Sequence, residues 1–76
     1  MSKALDKVLT VFAHRASDAP THVEDIAAEM DISIPRARHY LRLLNEQNLV
    51  WADENDTYGL TAAGDEHIVK GGLDLF

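Results

Sequence analysis

Residues 25–51 read DIAAEMDISIPRARHYLRLLNEQNLVW. Ile26, Ala27 and Met30, with Val23 just ahead of them, recur three and four residues apart, the spacing of one helix face. Ala37, Tyr40, Leu41 and Leu44 repeat that spacing further on, and only Asp31-Ile32-Ser33 separates the two runs. Ser33 suits an N-cap, because its hydroxyl can accept from an N–H that the first turn leaves unpaired. Pro35 is tolerated in that turn, where no backbone donor is needed. The second helix of the pair is expected over 34–47. Two helices joined by three or four residues form the helix-turn-helix, whose second helix enters the DNA major groove.

On the N-terminal side, Thr21-x-x-Glu24 has the capping-box pattern, which makes Thr21 the expected cap of the helix that carries Ile26. Asp25 adds favourable charge near that helix start. Ser17-Asp18-Ala19-Pro20 reads as a loop. Ahead of it Leu5, Val8, Leu9 and Phe12 lie at helical spacing, with Ser2 as a cap. On the C-terminal side, Leu49-Val50-Trp51 suits a strand, 53–56 a polar turn and Thr57-Tyr58-Gly59-Leu60 the returning strand. Thr61 can cap a last helix through about Val69. Gly71-Gly72 would end it before the apolar tail Leu73, Leu75 and Phe76. The expected fold is mainly α with a small β-hairpin, a winged helix-turn-helix of order α-α-α-β-β-α. It forms one domain over 1–76, with its core at about 3–69 and a short tail at 70–76.

Seventy-six residues without cysteine leave a small core and no disulfide framework. An apolar share of 46% is globular rather than disordered. No apolar run approaches the roughly 18 residues of a membrane helix, and Lys3, Asp6 and Lys7 break the N-terminal one, so neither a membrane span nor a signal peptide is expected. A cytoplasmic location follows as the default. The net charge of −6 argues against a surface that binds polyanions everywhere. Three of the seven basic residues nevertheless fall between 36 and 42, and no acidic residue lies between Ile32 and Asn45. One basic segment therefore sits inside an acidic chain, and distribution matters more than the sum.

The stretch 25–51 resembles the core of winged helix-turn-helix regulators of the MarR, ArsR and IclR type. The I-A-x-x-M helix, the short turn ending in Ser33 and the exit L-L-N-E-x-N-L-V carry the likeness, with YGLTAAGDEHI (58–68) similar to their wing strand and following helix. ARHYLRLLNEQNLV (37–50) is also similar to the recognition helix of small fimbrial regulators of the PapI and FaeA type. The wing of those regulators is basic, whereas here it carries Asp53, Glu54 and Asp56. The resemblance implies a DNA-binding fold and, for the fimbrial type, transcriptional control of pilus operons.

Arg36, Arg38 and Arg42 are the leading candidates for DNA contact, since arginine can donate two parallel hydrogen bonds to guanine or meet a phosphate. His39 lies among them. The bland alternative is a solvated helix face with Glu46 paired to Arg42 at i, i+4. Ile34 and Pro35 open the helix, where base contacts concentrate, with simple first-turn packing as the alternative, and Ser33 just ahead of them is counted among the candidate contacts. Thr21 stands at the other helix start, whose free N–H groups suit a phosphate, though a plain cap is the simpler role. Thr57 is either a wing contact or an ordinary strand residue. Tyr40 is expected at the core edge, and Trp51 as a packing anchor against the helices.

The histidines at 14, 22, 39 and 67 have no ligand spacing, and no nucleophile motif or phosphate loop appears. No metal, cofactor or enzymatic activity is expected. The expectation is a transcriptional regulator that binds double-stranded DNA, as a homodimer because one such helix reads few base pairs. Leu5, Val11 and Phe12, with the tail, offer apolar surface for a two-fold interface. Three phosphate-directed cations per protomer of a dimer would give a log–log salt slope of about −5. The alternative is a winged-helix module for protein contact through its acidic surface, or an accessory regulator that binds DNA only beside a larger partner.

Overall fold

Four helices and a three-stranded antiparallel sheet make up the described residues of the computed structural model, 3–13 and 20–70. In chain order these are α1 (Lys3–Ala13), β1 (Thr21–His22), α2 (Val23–Met30), α3 (Ile34–Glu46), β2 (Val50–Ala52), β3 (Thr57–Leu60) and α4 (Ala62–Lys70). The Ser2 cap, the loop at 17–19, Gly71-Gly72 and the tail residues Leu73, Leu75 and Phe76 lie outside the described residues.

The apolar stripes close on one core. Val8 and Leu9 of α1, Ile26 of α2, Leu41 and Leu44 of α3 and Val50 of β2 are all fully buried. Each such side chain contributes about 1.5–3 kcal/mol on removal from water. α1 packs against α2, α3 and α4 and so forms the back of the molecule. Leu5 and Phe12 belong to this core, and Val11 is half-buried against it. Leu5 and Phe12 are therefore not spare surface for a two-fold interface, because a domain this small needs them itself.

The three-residue turn is built from local hydrogen bonds. Asp31 takes the left-handed conformation (φ 55°), which aspartate tolerates better than most residues. Its N–H returns to the carbonyls of Ala27 and Ala28, and that of Ile32 reaches the Ala27 carbonyl at 3.0 Å. Ser33 then caps α3, its hydroxyl accepting from the Arg36 N–H at 3.3 Å. At the far end of α3, Asn48 is left-handed (φ 62°), a conformation asparagine tolerates better than most residues. The Leu49 N–H donates back to Leu44, and the Asn45 side chain donates to the Val50 carbonyl at 2.9 Å. These bonds turn the chain directly from α3 into β2.

Three expectations need correction here. The order is α-β-α-α-β-β-α, since Thr21-His22 forms a short strand and the sheet runs β1-β3-β2. Thr21 pairs with Tyr58 and His22 with Thr57. Thr21 is consequently 2% exposed and is not the cap of α2. His22 caps it instead, its Nδ1 accepting from the Glu24 N–H at 3.2 Å. Trp51 does not anchor the helices either. It lies opposite Gly59 on the hairpin, and its indole covers the space that a side chain at 59 would need. The β2–β3 pair is otherwise as the sequence suggests, with Val50 opposite Leu60 and Ala52 opposite Tyr58.

Thr61 caps α4, accepting from the Gly64 N–H at 3.0 Å and donating to the Asn48 carbonyl at 2.7 Å. Gly64 presses against the Leu49 carbonyl, so a Cβ at that position would collide with backbone rather than with a side chain that can swing away. Gly64→Ala should therefore lower unfolding free energy by about 1–3 kcal/mol. A urea melt reads this directly, and an unchanged or raised midpoint would show that α4 can back off without loss.

Candidate nucleic-acid interface

Burial fixes which way α3 faces. Ala37, Leu41 and Leu44 are at 0% exposure on its inner side, and Tyr40 is half-buried at the core edge. The opposite side must then carry Pro35, Arg38, His39 and Arg42, all exposed, with Arg36 exposed beside them. These four residues line an open hollow of about 290 Å³. The His39 ring leans on Tyr40 at 6.0 Å between centroids. Ile34, 37% exposed, adds an apolar edge at the start of the helix.

The electrostatics of α3 and α2 differ. The first turn of α3 has no acidic residue, so the positive end of its dipole adds to the arginines. α2 begins with Glu24 and Asp25, and its first donors are already used. The Val23 N–H donates to the Asp56 carbonyl at 3.0 Å and the Glu24 N–H to His22. The start of α2, expected as a phosphate site at Thr21, therefore offers neither a free donor at those positions nor an exposed Thr21. Ser33 is exposed, but its hydroxyl is the cap of α3.

The three arginines are not equivalent. Among the described residues, Arg36 and Arg42 have no carboxylate partner, and the i, i+4 pair between Arg42 and Glu46 is not formed. Arg38 reaches across to the β2–β3 turn instead. Its Nε donates to both Asp56 oxygens, at 3.1 Å for Oδ2, and its Nη2 donates to Oδ2 as well. Tyr58 donates its hydroxyl to Asp56 Oδ1 at 2.9 Å. Arg38 is therefore a paired cation rather than a free one, and the carboxylate beside it offsets much of its charge at longer range.

Nothing local foretold the pair, since 18 residues separate its members. Asp56 holds a left-handed backbone (φ 60°) at the end of the turn. Asp53 fixes the rest of that turn, its Oδ1 accepting from the N–H groups of Asn55 and Thr57 at 2.9 and 3.1 Å. Thr57 is half-buried, and its hydroxyl turns back to the Asn55 carbonyl. Asp53 and Glu54 stay exposed at the tip. Among the described residues no histidine, aspartate or glutamate side chains gather into a metal-binding group. No described helix is long and apolar enough to cross a membrane.

Titration follows from these contacts. The hydrogen bond from Arg38 holds the Asp56 carboxyl below the usual aspartate value of 3.8, against a partial opposing effect of burial. A depressed carboxylate stabilises the fold fully above its unfolded value and loses that contribution as pH falls through the folded one. Acid unfolding should therefore become shallower below pH 3.8 in Asp56→Asn. An identical acid limb in the two proteins would mean that the pair does not persist in solution. Burial, then the bond to Asp56, pushes the Tyr58 phenol from 10.0 up to about 12. Its contribution is complete below about 10 and drains away toward 12. In Tyr40→Phe, phenolate absorbance of the remaining tyrosine should rise near 12 while the fold persists; a rise near 10 would place Tyr58 in solvent.

No family model matches the chain, and no curated protein and no solved structure matches it.

Proposed function

We propose that this chain is a winged helix-turn-helix DNA-binding protein that regulates transcription, with α2 and α3 as the paired helices and the β2–β3 hairpin as the wing. The observation that carries the reading is the outward face of α3, where Arg36 and Arg42 stand exposed beside a helix start without acidic residues. α2, joined to α3 by a three-residue turn, packs behind it together with α1, an arrangement that suits a helix-turn-helix. The sequence likeness to winged-helix regulators agrees with this assignment. Thr21 drops out as a contact because it is buried; Pro35, His39, Arg36 and Arg42 remain, with Ser33 and Thr57 at the margins.

Acidic wing residues and the neutralised Arg38 lower the number of phosphate-directed cations from three to two per protomer. A homodimer on symmetric half-sites then gives a log–log salt slope of about −3.6 rather than about −5, and a monomer about −1.8. Binding of a random-sequence duplex, measured over a salt series by fluorescence anisotropy, should show a slope in this range. Arg36→Ala/Arg42→Ala should reduce it to near zero with loss of retention. Exposed Asp53 and Glu54 favour the second reading, a module for protein contact, and that reading wins if wild-type protein ignores DNA even at low salt.

A further inference from the structure

We infer that Asp56 makes Arg38 a reader of guanine rather than a phosphate contact, by holding the guanidinium in one orientation from the wing. The inference rests on the DNA-binding reading above and adds which residue confers base preference and how. A guanidinium has five N–H groups arranged around a plane. Asp56 occupies one side of that plane, taking the hydrogen bonds of Nε and one from Nη2. The end of the plane, Nη1 with the second Nη2 hydrogen, has no partner among the described residues. Those two parallel donors match the O6 and N7 acceptors that guanine presents in the major groove. The side chain keeps 51% of its surface exposed and borders the hollow it shares with Pro35, His39 and Arg42.

Two physical points favour a base over a phosphate. The pair carries no net charge, and a phosphate brought to the free end of Arg38 would also approach the Asp56 carboxylate. A guanine edge is neutral and meets no such repulsion. Orientation matters too. A bidentate contact depends on alignment, and a side chain already fixed loses less rotamer freedom on binding. Asp56 itself is fixed three times over, by Tyr58 at Oδ1, by the Val23 N–H at its carbonyl, and by its place at the end of the hairpin turn. Asp56 is thus a positioning residue that never has to touch DNA.

The test is selection of bound duplexes from a random pool, followed by affinity and salt series on the selected site. In wild-type protein one guanine per half-site should be preferred roughly ten- to a hundredfold over the other bases. Arg38→Ala/Asp56→Asn, which removes the neutral pair as a unit, should erase that preference and leave the salt slope unchanged. Asp56→Asn, which keeps a residue tolerant of the left-handed backbone, should weaken the preference several-fold and steepen the slope by about 0.9 per protomer as Arg38 becomes a free cation. The inference is overturned if that double variant keeps every base preference, or if Asp56→Asn changes neither quantity. Those results leave the DNA-binding reading standing, because Arg36 and Arg42 carry it. Retention of duplex without any base preference overturns the inference alone, whereas no retention of DNA at low salt sinks both. Circular dichroism of each variant separates loss of fold from loss of readout.

Discussion

Helix α3 has one rotation available to it. Ala37, Leu41 and Leu44 sit at 0% exposure, and a turn of the helix by one residue would move them toward water while driving arginine into the core. An uncompensated buried charge is among the costliest defects a small domain can carry. The position of the basic face is thus a by-product of packing: α1 and α2 close over the apolar side, and Arg36, Arg38, His39 and Arg42 are what remains. In a protein of net charge −6, this is how basic side chains are gathered on one face, with Asp56 of the hairpin the carboxylate that reaches it.

A second constraint joins that face to the hairpin. Asp56 receives the Val23 N–H, the Arg38 guanidinium and the Tyr58 hydroxyl, and so links the start of α2, the outer side of α3 and the strand β3. The small sheet serves the same end. β1 has only two residues, yet it pairs with β3 and places His22 where it caps α2. Removing the hairpin from this framework would unfasten α2 at its first donor as well as release Arg38. The acidic turn is in this sense partly structural, with Asp53 organising its backbone and Asp56 reaching inward, while Glu54 faces solvent.

How much was legible in the residues depended on the range of the interaction. α3, its Ser33 cap and its Pro35 start follow from contacts within four residues, and the structure has them at the expected places. The Thr57–Leu60 strand and the Thr61 cap are equally local. β1 escaped because two residues carry no periodicity, and because Thr21-x-x-Glu24 satisfies a capping pattern that His22 takes over one residue later. The Arg38–Asp56 pair escaped because only the tertiary fold brings positions 38 and 56 together. A polar turn at 53–56 gives no sign of which of its carboxylates turns back to α3. Trp51 was misjudged for a related reason: its partner is the gap at Gly59 across the hairpin, which no single-strand pattern announces.

The presentation of the α3 face to nucleic acid is tested most directly by NMR titration of labelled protein with a short duplex at low salt. The arrangement predicts that shifts concentrate in 33–42, including the arginine side-chain N–H signals, with a smaller response at 53–57 and none on α1. Perturbations centred on α1 or α4, or an unchanged spectrum, would contradict it.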